Sequence, residues 1–79
     1  MSKAQGVQDA RESVFYVNGT EVHGAPMTLE TLLARYHISL ASQGVAVAIN
    51  ERVIPRSTWA ASGVSAQDRV EIVRAFQGG

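Results

Sequence analysis

Few side chains in this sequence are of types that do chemistry, and their spacing assembles none of them into a working set. His23 and His37 are its only histidines. Neither belongs to a His-x-x-x-His or Glu-x-x-His pattern that would present two ligands on one face, so no metal site is predicted and both read as surface or rim residues. Cysteine is absent, which removes disulfides, thiolate zinc sites and cysteine nucleophiles together. The serines sit in no Gly-x-Ser-x-Gly turn, so they make no Ser/His/Asp triad. Glu30 and Glu51 have local tasks at a helix start and in a turn, and Gly6, Gly19, Gly24, Gly44 and Gly63 are isolated, so no phosphate loop exists. What remains is main chain: the run Arg69-Val70-Glu71-Ile72-Val73-Arg74-Ala75-Phe76-Gln77 leads into Gly78-Gly79. Two glycines without Cβ form a thin thread that another protein's narrow channel can accept, with a carboxylate at its end.

Length and composition fit that reading. Seventy-nine residues make one small domain with little room for both a core and a deep pocket. A 46% apolar share with 18% charged residues is that of a folded globular chain. Seven basic and seven acidic side chains cancel and are interspersed, so there is no basic stripe for nucleic acid or an anionic membrane. No segment has the apolar run of a signal peptide or a membrane span, and a cytoplasmic monomer is the expectation.

The elements that must position the tail follow from local pattern. Residues 1–12 are polar and aperiodic and read as a flexible arm; residues 13–79 form the domain, with 77–79 as its tail. Val14-Phe15-Tyr16-Val17 runs through Asn18-Gly19 into Thr20-Glu21-Val22-His23, a hairpin with a type I′ turn and Phe15, Val17 and Val22 on one face. Thr28 stands as an N-cap, and Leu29, Leu32, Leu33 and Tyr36 form one apolar stripe of a helix that ends by His37. Val45, Val47 and Ile49 alternate with Ala46 and Ala48 in a second strand with a small-residue outer face. Asn50-Glu51-Arg52 turns into a brief Val53-Ile54 strand stopped by Pro55. Ser57 is read as the cap of a single helical turn, Trp59 as a lid on the core, and residues 60–67 as loop. In the last strand Val70 and Ile72 point inward, with Arg69, Glu71 and Val73 outward. A helix between strands implies a right-handed crossover, with the first and last strands parallel. The fold class is α+β, a mixed four- to five-stranded sheet packed on one α-helix.

The Asn18-Gly19 hairpin, Val45-Ala46-Val47-Ala48-Ile49-Asn50, Val53-Ile54-Pro55-Arg56-Ser57-x-Trp59, Asp68-Arg69-Val70-Glu71-Ile72-Val73 and Gly78-Gly79 together resemble the ThiS family, the sulfur carriers of thiamine thiazole biosynthesis. The resemblance covers residues 14–79, and the stretch 50–59 looks like the thiazole branch in particular. It implies a ubiquitin-like β-grasp without catalytic groups of its own. It implies that a ThiF-like adenylating enzyme uses ATP to activate the Gly79 carboxylate, which Gly78 helps to keep accessible. A cysteine desulfurase or rhodanese-type donor then converts it to a thiocarboxylate, and thiazole synthase accepts the sulfur. The expected partner surface is Ala46, Ala48, Val73 and Phe76, rimmed by Arg69, Glu71 and Arg74. Three alternatives share the terminal feature: a molybdopterin-synthase-type carrier, a ubiquitin-like protein modifier, and a non-catalytic β-grasp interaction module. Lys3 is the only lysine, which disfavours chains built on the protein itself.

Overall fold

The computed structural model describes residues 13–75. The arm at 1–12 and the segment 76–79 lie outside the described residues. Strands β1 (Ser13–Val17) and β2 (Thr20–Gly24) pair antiparallel with Val17 opposite Thr20. The two residues between them, Asn18 at φ 51° and Gly19 at φ 84°, have the positive φ values that a type I′ turn requires. After β3 (Met27–Thr28) come helix α1 (Leu29–Ala34), β4 (Val45–Ile49) and β5 (Arg52–Val53). A 3-10 helix (Arg56–Ala61), β6 (Gly63–Val64) and β7 (Arg69–Arg74) complete the order.

The main sheet has five strands in the order β2-β1-β7-β4-β5. β1 and β7 are parallel, as the crossover implied, while β7 runs antiparallel to β4. The last described strand is therefore the central one. Both hairpin asparagines reach across to hold it. The Asn18 side chain accepts from the Ile72 amide at 2.8 Å and donates to the Ile72 carbonyl at 3.3 Å, extending the β1–β7 ladder one step beyond the end of β1. Asn50, at φ 53° in the β4–β5 turn, accepts from the Arg69 amide at 3.0 Å and donates to Asp68 Oδ1 at 3.0 Å. That turn also has two positive-φ residues, with Glu51 at 69° where glycine is usual.

Helix α1 is capped by Thr28, whose hydroxyl accepts from the Thr31 amide at 3.1 Å, and Glu30 lies in its first turn, where the dipole favours a negative charge. Leu29, Leu32 and Leu33 are fully buried against the sheet residues Phe15, Val17, Val47 and Val70, and Tyr36 is half-buried beside them. The helix closes with amide bonds from His37 to the Ala34 carbonyl and from Ile38 to the Leu33 carbonyl. His37 has φ 63°, so this is a Schellman closure with histidine in the place glycine commonly fills. Ile38, read from sequence as the start of an irregular stretch, is 3% exposed because the closure folds it onto Leu33.

Three local expectations are corrected. Residues 60–67 are not all loop: the 3-10 helix runs through Ala61, and Val64 is buried in β6, which pairs with β3 as a second, two-stranded sheet. Ser57 is not the helix cap; Pro55 occupies that position without a side-chain bond. The brief strand is Arg52–Val53, with Ile54 turned against the core. Trp59 is the buried lid that was expected, and its Nε1 donates to the Ile54 carbonyl at 2.8 Å.

Two substitutions test this packing by urea denaturation. Leu32→Ala is expected to cost about 2–5 kcal/mol, a large part of the stability of so small a domain. Asn18→Gly keeps the positive φ and deletes only the side-chain bridge to Ile72. Its expected cost is about 1–2 kcal/mol, and an unchanged midpoint would mean that the bridge contributes nothing.

Candidate functional site

Side-chain alternation along β7 divides its residues between two faces. Val70 is buried and Ile72 packs against the core, while Arg69, Glu71 and Val73 point outward and are exposed. Strand register then sets Ala46 beside Val73 and Ala48 beside Glu71, so the predicted residues Ala46, Ala48, Arg69, Glu71 and Val73 do share the outer face. Register also brings Val53 next to Ala48 and Tyr16 next to Arg69. Val53 and Val73 are 75% and 62% exposed, the large apolar residues most open to solvent among the described ones. The face thus carries a strip of small and branched apolar side chains with charges at one end. Val53 was missed because the sequence reading placed it in a strand without assigning it a face; pairing β5 to Ala48 supplies the answer.

Arg74 is not on that face. It lies opposite Val45, on the inner side, and its guanidinium donates to the Tyr36 carbonyl at 2.7 Å, where the helix end offers unpaired oxygens. Its expected place on the rim is corrected accordingly. Phe76, Gly78 and Gly79 lie outside the described residues.

Beyond Arg74 the ladder has one further rung, from the Ala75 amide to the Gly44 carbonyl at 2.7 Å. A shallow groove of about 360 Å³ lies beside it, lined in part by His37, Ser42, Gly44 and Arg74. A second groove of about 390 Å³ follows the outer face past Tyr16, Arg69 and Glu71. His37 and Ser42 both line the first groove, but the hydroxyl oxygen of Ser42 accepts from the Ser39 amide at 3.0 Å in a local turn and is not paired with the imidazole. Among the described residues no three His, Asp or Glu side chains cluster to hold a metal ion, and no helix is long and apolar enough to cross a membrane. His23 and His37 are both exposed, with His23 3.3 Å from the Glu21 carboxylate.

The profile of the ThiS family matches residues 8–79. The chain belongs to the ThiS family. The crystal structure of a thiamine biosynthesis protein (ThiS) from Geobacter metallireducens is similar to it, with 29% sequence identity and a TM-score of 0.67, over 84% of this chain and 99% of that one. No curated protein gives a significant match. The mixed five-stranded sheet packed on one helix is therefore the ubiquitin-like β-grasp of ThiS. ThiS proteins are small sulfur carriers, generally non-catalytic, that work with sulfur-transfer enzymes in thiamine biosynthesis. The stretch 50–59 gains a structural explanation here: Arg56 stacks 4.4 Å above the Trp59 ring and donates to the Leu40 carbonyl at 2.8 Å.

The opposite placements of Arg69 and Arg74 predict unequal costs. Arg74→Met removes a bond to a helix-end carbonyl and is expected to lower stability by about 0.5–1.5 kcal/mol. Arg69→Met touches a side chain with no hydrogen bond or ion pair among the described residues and should change it by less than about 0.5 kcal/mol. Parallel urea titrations of the two variants compare them directly.

Proposed function

We propose that this ThiS protein carries sulfur as a thiocarboxylate on Gly79 and delivers it for thiazole formation in thiamine biosynthesis. The observation that carries this reading is that the central strand β7, ending at Arg74, is followed in the sequence by Ala75-Phe76-Gln77 and then Gly78-Gly79 in a member of a sulfur-carrier family. A carboxylate is a poor acyl donor because its leaving group would be oxide. A ThiF-like adenylating enzyme removes that obstacle: the Gly79 carboxylate attacks the α-phosphate of ATP, pyrophosphate departs, and the acyl group now has AMP as its leaving group. The terminal sulfur of a persulfide, supplied by a cysteine desulfurase or a rhodanese-type donor, displaces AMP. A thiol then cleaves the S–S bond and leaves the thiocarboxylate, an anionic, soft nucleophile at neutral pH.

In this scheme the chain is a substrate for its partners and binds no cofactor itself. Its own contributions are two. The outer strip of Ala46, Ala48, Val53 and Val73, with Arg69 and Glu71 beside it, presents a flat surface that partners can approach closely, and small side chains keep that approach unobstructed. Glycine at the last two positions leaves the acyl carbon open, where a Cβ would crowd the adenylate and the incoming sulfur.

Intact-mass measurement tests the proposal after incubation with the adenylating enzyme, ATP and a persulfide donor. Sulfur-for-oxygen exchange localised to Gly79 is expected, and transfer to thiazole synthase should then restore the unmodified mass. Gly79→Ala is expected to load more slowly while unfolding at the wild-type midpoint. Loading of that variant at the wild-type rate would remove the steric argument, and a wild-type chain that never gains sulfur would remove the carrier reading for Gly79.

A further inference from the structure

The point from which the tail leaves the fold is held from three directions, all outside the partner-facing strip. The Ala75 amide donates to the Gly44 carbonyl at 2.7 Å. Gly44 has φ 71°, where a side chain is strained, and a Cβ built on it would lie 3.3 Å from the Ala75 carbonyl oxygen, so a larger residue would displace Ala75 by a few tenths of an ångström. The segment leading to Gly44 is itself anchored: Arg74 binds the Tyr36 carbonyl at 2.7 Å, and Arg56 binds the Leu40 carbonyl at 2.8 Å. Between these anchors and Gly44 a turn closes on itself, with the Ser39 amide donating to Ser42 Oγ at 3.0 Å and the Ser42 amide to the Ser39 carbonyl at 3.1 Å. A loop tied down at this many points is a rigid stop against which β7 ends.

We infer that Gly44 is a positioning residue: its rung to Ala75 fixes where the tail departs and thereby sets how deep the Gly79 carboxylate reaches into the adenylating partner. The inference rests on the carrier reading above. From the Ala75 amide to the Gly79 carboxylate the chain spans five residues, 75–79, and a fully extended chain gains at most about 3.6 Å per residue, so the reacting carboxylate reaches no further than about 18 Å beyond the rung. Docking through the outer strip and delivery of the carboxylate are then coupled by a bounded reach measured from the rung. Nucleophilic attack on a phosphate requires near-contact geometry, and a displacement of about 1 Å can cost about a hundredfold in rate. Loosening the rung or changing the length beyond it should therefore act on turnover rather than on docking.

The test measures ATP-dependent pyrophosphate release by the adenylating enzyme as the concentration of full-length carrier is varied. One variant is Gly44→Ala; the other inserts a single glycine between Ala75 and Phe76 and leaves the described fold untouched. Both are expected to lower kcat by about tenfold or more with KM within about twofold, and in Gly44→Ala the Ala75 amide should exchange with solvent faster. A second glycine inserted elsewhere, between Gly24 and Ala25, is expected to leave kcat unchanged. Wild-type kcat in the tail-insertion variant overturns the inference while leaving the carrier reading standing. Accelerated Ala75 exchange with unchanged kcat in Gly44→Ala does the same. A wild-type chain that releases no pyrophosphate overturns the carrier reading, and this inference with it.

Discussion

The grip on β7 is the constraint from which the rest of this structure follows. The strand lies between β1 and β4, and each of the two hairpins flanking it contributes a turn asparagine, Asn18 to Ile72 and Asn50 to Arg69. Each asparagine does two things at once. Its tolerance of positive φ makes the tight turn possible, and its side chain then supplies main-chain-like partners to a strand that would otherwise have unpaired groups at that point. Without β7 the β1–β2 and β4–β5 hairpins are separate ribbons, and two-stranded ribbons alone are marginal in water.

That arrangement divides labour between fold and tail. The inner face of β7 belongs to the core, through Val70 and Ile72; its outer face is exposed at Arg69, Glu71 and Val73, and in the proposed function it is the partners' side. The end of the described strand is tied by the Ala75–Gly44 rung and by the bond from Arg74 to the Tyr36 carbonyl. A narrow channel can select a thread by its slenderness only if the thread starts from a defined place. The second, small sheet and the 3-10 helix serve the same end from a distance, since burying Trp59 and Val64 closes the base of the core and lets Arg56 secure the loop at Leu40.

Much of this was legible in the residues. Asn18-Gly19, the alternation at 45–49 and the leucine stripe each encode their element within a few positions, so hairpin, strand and helix were read with the right faces. The features that escaped have short or non-local causes. A two-residue strand such as β6 has no period to detect, which hid the burial of Val64. Ile38 is buried by a closure that begins with a positive-φ histidine, a residue type that does not announce such a bend as glycine would. Arg74 differs: it shares parity with Val70 and Ile72, so period-two alternation already assigned it to the inner side, and the attraction of grouping charges near the tail obscured that. Val53 needed the register between β5 and β4 before its face had a meaning. The diglycine was visible as a chemical possibility, but its use depends on partners whose shapes no residue in this chain records.

Placing the last strand of the sequence at the centre of the sheet also shapes the route by which the chain folds. The two hairpins close across two-residue turns and can form within about microseconds. The sheet, however, completes only when groups 54 residues apart, Asn18 and Ile72, are brought together, and such closure must be met entropically before any cross-strand contact rewards it. Contacts of that sequence separation are of the kind that slows folding relative to local ones. The strand that precedes the diglycine in the sequence is also the one that joins the two hairpins into a single sheet.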